Sequence, residues 1–83
     1  MNLKSHEDVK ALKSNFHAVF DTPQGQEVLK FLEIRCNWYQ SIFVPSNPDM
    51  TLINDGRRQV IATIKTMLEL NPEQIIALIN EKE

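Results

Sequence analysis

The sequence predicts an all-α fold: a compact bundle of three main helices plus a short C-terminal helix. Three observations predict it. Apolar residues recur at helical spacing over most of the 83 residues. Only 2 glycines are present, too few for the turns of an all-β chain of this length. Polar cap residues followed directly by proline, at Thr22-Pro23 and Asn71-Pro72, mark helix starts.

The elements follow in order. Ser5 can cap a first helix over about 6 to 20, with Val9, Leu12, Phe16, Val19 and Phe20 on one face and Lys10, Lys13 and Ser14 mostly on the other. The stretch "DTPQG" ends it, and a second helix runs from about 23 to 40. Val28, Leu29, Leu32, Cys36 and Tyr39 form one stripe on it, and Phe31, Ile34 and Trp38 a second. A helix apolar on two sides is either central in its domain or half used by a partner. The stretch "VPSNPDMT" is a loop, its start pinned by Ile42, Phe43 and Val44. Thr51 or Asn54 caps a third helix over about 52 to 70, with Ile53, Val60, Ile61, Ile64, Met67 and Leu68 as its apolar set. A fourth helix spans about 72 to 81, and the whole is read as one domain over 1–83.

Composition excludes several classes. The net charge of −2 argues against broad nucleic-acid binding, which needs a strong basic field. A helix-3 DNA reader with Arg58 and Lys65 on phosphates is weakened for the same reason. No apolar run is long enough to span a membrane. The start "MNLKSHEDVK" lacks the apolar core of a signal peptide. One cysteine, Cys36, allows no internal disulfide and fits a reducing, intracellular setting. His6 and His17 lack metal-ligand spacing, so neither a metal nor a cofactor is expected. No paired-carboxylate or triad pattern points to an enzyme.

The candidates for contact are Arg58, Arg57, Gly25, Gln24, Phe31, Ile34 and Trp38. Counted from Ile53, Val60 and Ile64, Arg57 lies on the core side, where a guanidinium must be paired; Asp21, Glu27 and Glu33 are possible partners. Arg58 then points outward, as the better candidate for a partner. Gly56 costs about 1 kcal/mol in a helix relative to alanine, and close approach of another segment, the "TPQG" turn among the possibilities, would account for it. Gln24 and Gly25 with Thr22 could offer free N–H groups to an anion, although a plain helix cap explains the same residues. Trp38 and Tyr39 beside Arg35 could stack on a base, against core or interface burial as the simpler reading.

The segments "FDTPQGQEVLKFLEIRC" and "DGRRQVIATI" resemble a family of small, largely uncharacterised proteins of tailed bacteriophages whose namesake comes from a Bordetella phage. The resemblance covers about 16 to 70. It rests on Phe20, Thr22, Gly25, Val28, Leu29, Leu32, Gly56, Arg57 and Arg58, with Phe20, Thr22, Gly25, Gly56 and Arg57 as its structural motif. It implies a phage-encoded protein, found in the host cytoplasm or on the virion, and assigns no catalytic role. The function expected is non-enzymatic: contact with a phage or host protein, in virion assembly or DNA packaging, with self-association possible. The alternative is an anti-host protein that binds a host enzyme or captures an anionic nucleotide signal through Arg57, Arg58 and Gly25.

Overall fold

In the computed structural model, which describes residues 1–81, the chain forms α1 (His6–Phe20), α2 (Pro23–Arg35), α3 (Pro48–Glu69) and α4 (Pro72–Glu81). The all-α class and the helix count agree with the expectation, and α1 and α4 have the expected bounds.

Three helices open with the same device. Thr22, Asn47 and Asn71 each precede a proline, and each side-chain oxygen accepts a first-turn N–H, from Gly25, Met50 and Gln74 respectively. At α4 the cap is reciprocal, because the Gln74 side chain accepts from the Asn71 amide at 3.0 Å. The Asn47-Pro48 pair starts α3 four residues before the expected 52, so neither Thr51 nor Asn54 is its cap.

The second helix ends at Arg35 and not near 40. Asn37 takes a left-handed conformation, φ 58°. The Trp38 amide donates to the Glu33 carbonyl at 2.9 Å and the Asn37 amide to that of Ile34 at 3.3 Å. This pairing closes a Schellman motif and satisfies carbonyls that the helix end leaves free. Asparagine tolerates this conformation better than most side chains.

The first helix is the spine: α2, α3 and α4 all pack on it, and α2 also touches α3. Val9, Met67 and Ile75 form one buried cluster, joining α1, α3 and α4. Leu29, Ile61 and Ile64 form another, with Phe20, Leu32, Cys36, Trp38 and Leu68 packed on it. Phe16 touches both and ties them together. Lys13 is not on the solvent face as expected. Its ammonium reaches the last turn of α3, donating to the carbonyls of Met67 at 2.9 Å and Leu68 at 3.1 Å. A cation there also meets the negative end of the helix dipole.

The body is thin. Its extents are 45 × 34 × 17 Å and its radius of gyration 14.7 Å, against roughly 12 Å for a compact chain of this length. Several apolar residues expected inside therefore face out. Val19, Val28, Phe43, Ile53 and Val60 are exposed.

Candidate functional site

The roles of the doubled arginine on α3 are the reverse of the expectation, although Ile61, Ile64 and Met67 are buried as expected. The line facing the rest of the chain runs through Thr51, Asn54, Arg58, Ile61 and Lys65, at the three- and four-residue steps of one helix face. Each polar member has a partner in or beside the 36–47 connection. The Thr51 hydroxyl accepts the Val44 amide at 2.9 Å. Asn54 is buried; it donates to the Ile42 carbonyl at 3.2 Å and accepts from Asn37 at 3.1 Å. The Arg58 guanidinium lies 4.9 Å from the Trp38 ring centre and the Lys65 ammonium 5.2 Å from it. Such contacts are worth about 0.5–1 kcal/mol each where partly exposed.

Glu33 completes this cluster. It is 7% exposed, and a buried carboxylate needs partners. The Tyr39 hydroxyl donates to it at 2.6 Å and the Lys65 ammonium stands 3.5 Å away. The bond to Glu33 holds the Tyr39 phenol in its protonated form and raises its pKa. Trp38 thus folds back onto the core beyond the end of α2, separate from Phe31 and Ile34. Its ring carries two cations of the same chain in place of a nucleobase. Glu33, Tyr39 and Lys65 form one polar group on one side of Trp38, and Asn37 with Asn54 a second; the sequence reading gave Glu33, Tyr39 and Lys65 other partners and left the Asn37–Asn54 pair out. The left-handed preference of asparagine at Asn37 was the available signal.

Arg57 points outward. It is exposed and, among the described residues, makes neither an ion pair nor a hydrogen bond, so it is no clamp to Asp21, Glu27 or Glu33. Gly56 is also exposed, and a side chain built on it meets nothing within 4 Å. The expected close approach of another segment at Gly56 is therefore absent among the described residues. Leu52, Ile53 and Val60 surround it on the same helix face, at 69%, 47% and 58% exposure. The acidic-Gly-Arg-Arg motif accordingly divides: Arg58 serves the fold, and Gly56 with Arg57 belongs to an outward apolar patch.

Close approach occurs instead at Gly25. A Cβ there would collide with the Val19 carbonyl oxygen and lie 2.7 Å from the Phe20 Cα. Thr22 accepts the Gly25 amide at 2.9 Å, and Gln26 donates to the Phe20 carbonyl at 2.6 Å. The turn is a tight corner between α1 and α2 whose Gly25 and Gln26 donors are directed to the chain itself. Gly25 sits in the first turn of α2, and Arg58 packs beyond its last turn, about 15 Å along the helix. Gly25 and the arginines therefore do not form one anion site. Gln24 is exposed beside this corner, on the side of α2 that carries Phe31. Phe31 and Ile34 are 60% and 61% exposed and, with Val28, leave an unpartnered apolar face on α2.

No group of three or more His, Cys, Asp or Glu able to hold a metal occurs among the described residues. No helix among them is long and apolar enough to cross a membrane.

Neither the curated proteins nor the solved structures contain a match to the chain. The model of one protein family, described as Bbp19-like phage protein, matches residues 16–80. The match takes in α2, α3 and most of α4, so it extends past the 16–70 over which the sequence motifs suggest the resemblance. It includes the Gly25 corner, the Trp38–Arg58 contact and the outward Gly56 patch. The chain belongs to the family of Bbp19-like phage proteins.

Proposed function

We propose that this phage protein works without catalysis, as a small contact subunit that binds another phage protein during virion assembly or DNA packaging. The observation that carries the reading is Gly56. A glycine inside an exposed stretch of helix costs about 1 kcal/mol relative to alanine, and none of the described residues occupies the space above it. Leu52, Ile53 and Val60 surround that space with apolar surface, and Arg57 offers an unpaired guanidinium at its edge. A partner backbone approaching closely there would account for the glycine, the apolar rim and the charge together. The use of Glu33, Tyr39 and Lys65 in one another's support is in keeping with a structural cluster and not a reactive one.

The test is a photo-crosslinking amino acid at position 60, carried by the phage through infection, with the same group at exposed Glu7 as control. The reading expects an adduct at position 60 with a phage head or packaging protein, and little at position 7. Equal labelling at both positions, or an adduct only with nucleic acid, would overturn it. An adduct with a host enzyme would favour the anti-host alternative.

A further inference from the structure

The second unpartnered face, on α2, carries a pattern that reads the same in both directions. Taking Phe31 as centre, Val28 and Ile34 lie three residues to either side, and Glu27 and Arg35 four. All five fall within about 60° to either side of Phe31 on one helix face. That face is opposite the buried side, which carries Gly25, Leu29 and Glu33. All five are exposed, and among the described residues neither Glu27 nor Arg35 makes an ion pair or hydrogen bond.

We infer that this face binds a second copy of the chain, through an antiparallel pairing of α2 with α2 about a two-fold axis at Phe31. A two-fold interface must be self-complementary: what lies at one offset must suit what lies at the opposite offset. Here Phe31 meets Phe31, Val28 meets Ile34, and Glu27 meets Arg35 twice. A parallel pairing would instead set Glu27 against Glu27 and Arg35 against Arg35.

The surface area of the whole chain leaves room for an interface of this kind. The chain exposes 6029 Å², whereas a compact monomer of its mass exposes roughly 5,100 Å². The surplus, about 900 Å², is close to the roughly 800 Å² that each partner gives to a standard interface. The inference rests on the reading of the chain as a contact subunit, and assigns α2 to self-pairing and the Gly56 patch to the other partner.

Sedimentation equilibrium of the full chain, up to about 200 µM, tests it. The wild type is expected at twice the chain mass. Phe31→Asp is expected as a monomer with unchanged helical circular dichroism. Glu27→Arg and Arg35→Glu should each weaken self-association about tenfold, since each turns two attractive pairs into repulsive ones. Mixed in equal amounts, these two variants should regain nearly the wild-type affinity, because every cross-pair is then attractive. A monomeric wild type overturns the inference, and so does a dimer indifferent to these changes. A monomer that still crosslinks through position 60 removes the self-pairing and leaves the contact-subunit reading standing. A Phe31-dependent dimer without that crosslink does the reverse.

Discussion

Gly25 lies directly against the Val19 carbonyl, so that the corner between α1 and α2 has no room for a side chain. Both walls of this contact are backbone and cannot swing aside. Gly25→Ala is therefore expected to destabilise the fold by about 3 kcal/mol, at the upper end for overpacking. Urea unfolding followed by circular dichroism measures it; a loss under about 0.5 kcal/mol would show that the corner can open.

Lys13 should stabilise the end of α3. Lys13→Met keeps most of the apolar stem and removes the donor to Met67 and Leu68. A loss of about 1–2 kcal/mol is expected, with amide exchange fastest in the last turn of α3. Equal stability of the two proteins would assign those carbonyls to water.

Asn54 holds the 36–47 connection against α3. Asn54→Ala leaves the Asn37 side chain and the Ile42 carbonyl without this partner, for an expected cost of about 2–3 kcal/mol. Arg58 should then lose its order over Trp38, so a shift of the Trp38 fluorescence should accompany the loss. A destabilised variant with unchanged fluorescence would uncouple the two contacts.

The α1–α4 contact should respond to acid. Backbone N–H donation within the first turn of α4 holds the Glu73 carboxyl below its ordinary value of 4.5, and the bond from His6, 2.9 Å long, lowers it further. A lowered folded pKa means that the folded state favours the carboxylate. Its stabilising effect is thus complete above the unfolded value and is lost as pH falls through the folded one. Wild type and Glu73→Gln should differ in urea midpoint at pH 6, and the difference should shrink as the pH falls below the ordinary value of 4.5. A constant difference across that range would mean that the ion is not the source.

Much of the fold is legible in the sequence, because caps and prolines act locally. Thr22-Pro23 and Asn71-Pro72 announce α2 and α4 from a few adjacent residues. Asn47-Pro48 carries the same signal, obscured by the competing caps Thr51 and Asn54. The phase of α3 is not legible in the same way. Its apolar residues cover more than one face, so periodicity cannot say which of them point inward. Asn54 and Arg58 take the inward line because α3 meets an irregular connection there, rich in backbone groups to satisfy. That relationship is long-range and depends on α2 stopping at Asn37. Once Arg58 takes that line, Arg57 and Arg58 exchange roles and Val60 moves to the surface.

The claim that Gly56 is kept for a partner is tested most directly by measuring two properties of one variant, Gly56→Leu. Leucine is the better helix former, and the space above residue 56 is open. The variant should unfold with about 0.5–1 kcal/mol more free energy than the wild type, and its crosslink from position 60 during infection should disappear. A variant that is more stable and still crosslinks fully, or one that is destabilised by the change, would contradict the account.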